Sequence, residues 1–300
     1  MGSDVSDINF LLFTTYDAQG HRVAELVRLL TSVQQASRDD GLNIRHYVLL
    51  QRTASVPQEV LGFDSDTFVF MCADRQLSLA RARNLMIHRA RRNGLLARAE
   101  ICAFPDDDAW YPDGVLHAFH RMFQADGDIG IAVCRYGSSP STARDPAKFV
   151  ASFTRTQSCF AYLKRVASIT LFLRSSLAQS VGYFDERLGV GAPINGGEDT
   201  DYALRAYCSS RMKVVLADDM YMGHRDRLPA NYPKYFAGGL FAIARSAPRS
   251  ACITVQMVRR ICIGAYLVLT GRMSLAHCLT GLRIGLAGFG QKEVRATPFE

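Results

Sequence analysis

The stretch Ala99-Glu100-Ile101-Cys102-Ala103-Phe104-Pro105-Asp106-Asp107-Asp108 joins a short apolar run to a proline and three consecutive carboxylates. Residues 99–104 read as a strand, which the turn at Pro105 ends. Working outward, apolar runs at 8–15, 44–50, 67–72 and 129–134 also read as strands. Between them lie helical patterns at 20–37, 78–92 and 112–125. In the first helix Val23, Leu26, Val27, Leu30 and Val33 share one face, and Pro112 suits the first turn of the third. This alternation predicts an α/β fold: a mostly parallel sheet flanked by helices. Such sheets bind ligands outside the carboxyl ends of their strands, which is where Asp106–Asp108 falls.

Residues 135–160 read as an irregular loop, rich in Ser, Thr, Pro and Arg. A strand is expected at 166–173, a glycine-rich segment at 189–198, a helix at 199–208 and a short strand at 213–217. From about residue 234 the alternation stops. Arg245, Arg249, Arg259, Arg260, Arg272 and Arg283 punctuate apolar stretches there. Two or three helices are expected, apolar on one side and basic on the other. The chain thus divides into an α/β unit over 1–233 and a helical appendage over 234–300.

Hydrophobic residues make up 48% and charged residues 21% of the chain, which is a globular composition and not a disordered one. The net charge of +7 favours anionic partners. No Lys/Arg block with interleaved aromatics appears, so no nucleic-acid partner is expected. The eight cysteines form no C-x-x-C pair, and most sit in apolar runs. They read as buried thiols of a reducing compartment, neither bridges nor zinc ligands. The apolar run at 8–13 lacks the features of a secretory signal, and no uninterrupted run approaches the roughly 20 residues that span a bilayer. The expected location is cytoplasmic, with attachment to a membrane surface from that side as an extension.

Four constellations carry chemistry. On an extended segment Asp106 and Asp108 face the same way, and Asp107 points elsewhere. Two converging carboxylates repel unless a cation lies between them, and a hard divalent ion fits. The competing reading is a solvated acidic turn beside a helix start. Gly196-Gly197-Glu198-Asp199-Thr200-Asp201 is the second. Its glycines permit positive φ or close approach to a ligand. Asp199 is a candidate general base toward a hydroxyl. Asp201 and Arg205 read as a surface i,i+4 ion pair. The third is His224-Arg225-Asp226, where a histidine after a strand is a metal ligand, a phosphate donor or a structural residue. The fourth is the helix start Ser78-Leu79-Ala80-Arg81-Ala82-Arg83-Asn84. Arg81 and Arg83 cannot share a face, so Arg83 and Asn84 are the candidates to meet a phosphate or the carboxylates; an ordinary solvated face is the alternative.

In order and spacing, Ser78–Asn84, Phe104–Gly114, Gly182–Gly191, Gly197–Arg205 and His224 resemble the inverting family 2 glycosyltransferases of the GT-A fold, over residues 8–226. The resemblance implies a GT-A sheet with a C-terminal helical appendage. It implies a nucleotide-diphospho-sugar donor and a lipid-linked or glycan acceptor, as in bacterial exopolysaccharide or other surface glycan assembly. It implies a divalent cation, Mg or Mn, held by Asp106, Asp108 and His224, with Asp108 the foremost ligand. Asp199 would deprotonate the acceptor hydroxyl, and Glu198 would join the donor site. Relatives often carry an acidic residue at the end of the second strand to contact the nucleobase. Here the sequence reads Leu50-Gln51-Arg52-Thr53, so Gln51 is the stand-in, with Thr14, Thr15 and Asp17 as further nucleoside contacts. The tail would pack on the catalytic unit, lie on an anionic membrane surface, or do both.

Three rivals have discriminators. A sugar nucleotidyltransferase needs a Gly-rich phosphate loop, which Thr14-Thr15-Tyr16-Asp17-Ala18-Gln19-Gly20 lacks. A non-catalytic metal- or carbohydrate-binding module would use the carboxylates without Asp199. A membrane-surface adaptor would need only the tail.

Overall fold

The structure is a computed structural model and describes residues 7–226 and 232–291. In chain order the strands are β1 Ile8–Asp17, β2 Ile44–Gln51, β3 Phe68–Ala73, β4 Ala99–Ala103, β5 Ile129–Gly137, β6 Thr154–Thr156, β7 Leu171–Arg174 and β8 Lys213–Gly223. The helices are α1 Val23–Asp39, α2 Leu79–Arg92, α3 Leu95–Arg98, α4 Val115–Ala125, α5 Pro146–Ala151 and α6 Cys159–Arg165. They continue with α7 Ser175–Val181, α8 Glu198–Ser209, α9 Phe236–Ser246, α10 Ala251–Leu269 and α11 Leu275–Leu286.

One eight-stranded sheet, ordered β3-β2-β1-β4-β7-β5-β8-β6, organises the molecule. The β1/β2, β2/β3, β1/β4 and β5/β8 pairs are parallel, while β7 runs antiparallel between β4 and β5. This is the mostly parallel sheet that the strand–helix alternation predicts. Both faces are covered, which is why the strands read as near-continuous apolar runs. In β1, Phe10 and Leu12 pack with Leu26 and Leu30 of α1 and Phe119 of α4 on one face. Leu11 and Phe13 pack with Met86 of α2 and Tyr202 of α8 on the other. The chain order reverses between β2 and β4 on either side of β1, so the carboxyl ends of β1 and β4 open a crevice at a switch point. Pro105–Asp108 leaves β4 into that crevice.

Some boundaries differ from the sequence reading. The segment expected as a loop over 135–160 carries the end of β5, helix α5 and strand β6. β6 is three residues long and pairs antiparallel with β8, too short to show a period. Pro112 precedes its helix, which is capped by Gly114 and begins at Val115. β8 extends to Gly223.

The C-terminal helices, expected as two or three, are α9, α10 and α11. α9 lies on α8, with α10 and α11 packed against α9. The contact is backbone on backbone. Gly197 caps α8 at φ 86°, and a Cβ there would fall 2.2 Å from the Gly238 carbonyl oxygen of α9. The Gly196–Gly197 pair therefore serves helix docking as well as positive φ. Arg245 of α9 is buried and ion-paired to Asp185 and Asp201. Asp201 also takes the Arg205 guanidinium at 2.9 Å. That pair, expected on the surface, is buried because α9 covers it.

The cysteine reading also needs correction. Cys159 at the start of α6 and Cys252 at the start of α10 form a disulfide, with Cα atoms 6.3 Å apart. Two residues 93 positions apart give no spacing signal. Cys102, Cys134 and Cys278 are buried thiols as expected, whereas Cys72 and Cys262 are exposed. By length and composition α10 is apolar enough to cross a bilayer, and only 22% of its apolar window is buried. Arg259 and Arg260 interrupt it near the middle, so no single uninterrupted run is present.

Candidate functional site

Two local devices assemble the site. The first is an antiparallel bridge between Trp110 and Gly223, whose N–H groups donate to one another's carbonyls at 3.0 Å. It ties the turn after β4 to the end of β8. Residue 223 has to be glycine, because a Cβ would lie 2.1 Å from the Trp110 ring. Arg28 stacks over that indole, 3.8 Å from the ring centroid, and donates to the Asp108 carbonyl. The bridge sets His224 beside Asp108, with Nε2 2.9 Å from Oδ1. The second device is Arg83. It is almost wholly buried and spans from Asp106 (3.1 Å) to Asp199 (2.6 Å). One planar guanidinium thus joins two carboxylates 93 residues apart, as its fixed fork allows.

Asp106, Asp108 and His224 bring one ligand atom each to within 4.8 Å of one another. The histidine is correctly oriented for ligation. Its Nδ1 faces the Arg225 carbonyl at 2.7 Å, so a Nδ1–H donor there leaves Nε2 turned toward the carboxylates. Two carboxylates and an imidazole suit a small divalent cation. Cationic side chains surround the set. Arg22 reaches Asp107 at 3.0 Å and Asp108 at 3.4 Å, and Arg225 reaches Asp108 at 3.1 Å. Burial raises the Asp108 carboxyl, but the His224 hydrogen bond and the charges of His224, Arg225 and Arg22 outweigh it and hold the group below its ordinary value. Burial would lower His224, and its contacts with Asp108 and the Arg225 carbonyl raise it instead.

Asp107 does not point to solvent. It is buried, paired with Arg22, and pushed up to about 7 by burial. Asp199 has both oxygens engaged, one by Arg83 and one by the Ser168 N–H at 3.2 Å. Its neighbour Glu198 is buried with Oε2 unpartnered among the described residues. Burial, reinforced by Asp199, pushes Glu198 up to about 8. Consecutive carboxyls at one helix start therefore have opposite environments.

The remaining candidates divide into two groups. Asp17 and Gln51 lie side by side at the carboxyl ends of β1 and β2. Asp17 pairs with Arg52 at 2.7 Å, and the Gln51 side chain accepts the Leu77 N–H at 2.6 Å. Thr15 stands half-buried on β1. Thr14 and Asn84 are wholly committed within the protein. The Thr14 hydroxyl donates to the Pro105 carbonyl and meets His46, fixing where β4 turns. Asn84 clamps the backbone of Phe184 and takes Glu186. Arg22 and Ser168 belong to the constellation and carried no pattern in the sequence. Arg225 adjoined the flagged His224.

No protein-family model matches the chain, and no curated protein matches it in sequence. Solved structures do match. S. aureus TarS 1-349 superposes with a TM-score of 0.67 at 11% identity, covering 94% of this chain and 81% of that one. The same fragment in complex with UDP-GlcNAc gives 0.66 at 12% identity, over 94% and 81%. The S. aureus TarS structure covers 84% of this chain and 43% of that one, with a TM-score of 0.54 at 14% identity. At these identities the likeness is one of fold: an eight-stranded GT-A sheet with its helices, extending through the C-terminal helices of this chain.

Proposed function

We propose that this chain is an inverting, metal-dependent glycosyltransferase that moves a sugar from a nucleotide-diphospho-sugar to an acceptor hydroxyl. The observation that carries the reading is Arg83, which ties the Asp106 end of the candidate cation site to Asp199. A non-catalytic module needs no such link. The fold is supporting, because a solved protein of this fold binds UDP-GlcNAc.

Asp106, Asp108 and His224 would hold Mg or Mn, which supplies neutralisation of the leaving diphosphate. Arg22 and Arg225, 35% and 66% exposed, stand ready to share that charge. Asp17 and Gln51 lie where a nucleoside would enter. Ser168 and Arg83 aim the Asp199 carboxylate, whose role is to take the acceptor proton as its oxygen attacks the anomeric carbon from the face opposite the leaving group. Buried Glu198, kept protonated near neutrality, adds no second charge beside the base.

The chain is also proposed to act at the cytoplasmic face of a membrane, in surface glycan assembly on a lipid-linked or glycan acceptor. Val255, Val258, Tyr266, Leu269, Leu275 and Leu279 are exposed on α10 and α11. No acidic residue occurs between Asp226 and Glu293. An apolar face with basic flanks suits an anionic lipid surface. The Cys159–Cys252 pair tests the side of the membrane: reduced thiols in the native chain support the cytoplasmic face, and an intact bridge overturns it.

The test is nucleoside diphosphate release from a panel of nucleotide sugars, UDP-GlcNAc included, with and without chelator. The expected outcome is one turned-over donor, with turnover stopped by chelation. Asp108→Ala should lose donor affinity. Asp199→Asn should bind donor yet transfer about 10²-fold more slowly or worse. Transfer by Asp199→Asn at the parent rate would remove Asp199 from the base role.

A further inference from the structure

A second basic concavity lies beside the site, between the α/β unit and α10. It has a volume of about 770 Å³, and its lining includes six basic side chains, Arg135, Lys164, Arg165, Arg259, Arg260 and Arg272, against two carboxylates, Asp218 and Asp226. Both carboxylates are already engaged. Asp218 pairs with Arg165 at 2.7 Å, and Asp226 accepts from the Ser138 hydroxyl and N–H at 3.0 Å. Arg135, Lys164, Arg259, Arg260 and Arg272 make no ion pair with any described residue. Four of these five are exposed; Arg260 is half-buried, with Nη2 donating to the Tyr235 carbonyl and Nε buried without a partner among the described residues. Burial pulls Arg260 below its ordinary value, and the charge of adjacent Arg259 adds to this. Five cations without an ion-pair partner among the described residues, against the single unpaired carboxylate of Asp226, leave an excess of positive charge that calls for an anion.

The concavity also has direction. Tyr136 lines it and meets the His224 ring edge-on, with centroids 5.2 Å apart. It adjoins a smaller cavity of about 190 Å³, which is lined by Gly197 and Thr200 on either side of Glu198-Asp199. The two cavities share Leu163, Lys164, Arg259, Arg260 and Ile263. A ligand lying along them would pass from Tyr136, which packs on His224, to the first turn of α8, which carries the candidate base. Apolar side chains such as Leu163, Ile263 and Leu267 line the walls together with the cations. Guanidinium groups on an apolar floor suit phosphate groups spaced along a chain better than a single small ion.

We propose that this trench binds the acceptor, and that the acceptor is a phosphate-bearing glycan or glycan carrier whose anionic groups are read by Arg135, Lys164, Arg259 and Arg272. The word acceptor rests on the glycosyltransferase reading; the anion site does not.

The full chain is titrated, with chelator present to keep phosphate off the cation site, using three probes. These are a short phosphodiester-linked oligosaccharide, a neutral oligosaccharide of the same length, and a lipid-diphosphate-linked glycan in detergent. One or both anionic probes should bind, more weakly as salt rises from about 50 to about 200 mM, and the neutral one should not. Which anionic probe binds tells a free phosphodiester chain from a lipid carrier. Arg259→Ala/Arg272→Ala should weaken binding about tenfold or more. Arg259→Lys/Arg272→Lys should retain most of it, and Arg135→Ala should weaken it from the opposite wall. Affinity for UDP-GlcNAc with metal should not follow these changes. Equal binding of the neutral probe, or no effect of either alanine variant, overturns the trench. Loss of all donor binding and turnover, with the phospho-oligosaccharide still bound in a charge-dependent way, overturns the transferase reading and leaves the anion site standing.

Discussion

Glu198 and Asp199 are neighbours whose environments pull them apart, and this has a measurable consequence for stability. Burial raises Glu198 from its ordinary 4.5 to about 8. Between those values the folded protein holds a proton that the unfolded chain has released. Stability from this group is therefore full below about pH 4.5 and falls as pH rises toward 8. Thermal melting of Glu198→Gln should show a shallower decline over that window than the parent; an unchanged slope would mean Glu198 is ionised in the fold. The residue types at this scale were legible. Asp106, Asp108, Asp199 and His224 could be selected because metal and proton chemistry restrict which side chains serve. Their partners could not. Arg22 and Ser168 are common residues whose role comes from what stands opposite them in the fold. Asp107 was expected to point away from Asp106 and Asp108, and it stands outside their set, buried against Arg22.

Among the elements, the strands and helices around β1, β2 and β4 followed from periodicity, since one buried face or two buried faces leave a regular pattern. β6 and α5 did not, since three to six residues are too few for a period to register. The bridge between Trp110 and Gly223 was also invisible, yet it decides whether His224 meets Asp108. Gly223→Ala would drive a methyl group into the indole. The expected cost is about 1–3 kcal/mol of stability, together with weakened divalent-ion affinity measured by titration calorimetry. A variant that binds the ion like the parent would separate the bridge from the ligand geometry.

For the molecule as a whole, the C-terminal helices are keyed into the α/β unit by Arg245, which reaches Asp185 and Asp201, and by Gly238 lying on Gly196 and Gly197. The sequence showed these helices as apolar and basic, and that pattern does not distinguish a lipid-facing side from one seated on a neighbour. Both kinds of surface are present: α9 is largely buried, while Leu269, Leu275 and Leu279 are exposed. The cysteine arrangement is directly countable. Of eight cysteines, Cys159 and Cys252 are joined in the structure. Denatured, unreduced protein should titrate six thiols, and reduced protein eight. Eight before reduction would place the native chain in its open form.

The Cys159–Cys252 bond closes the intervening backbone into a covalent ring, and Asp199 and His224 both lie inside it. A single proteolytic cut anywhere along that ring leaves one molecule of unchanged mass on a non-reducing gel, separating into two pieces only after reductant is added. After a cut between Asp199 and His224, the candidate base and the candidate metal ligand would be tethered to one another only through the bridge, and would part company when the sulfurs do.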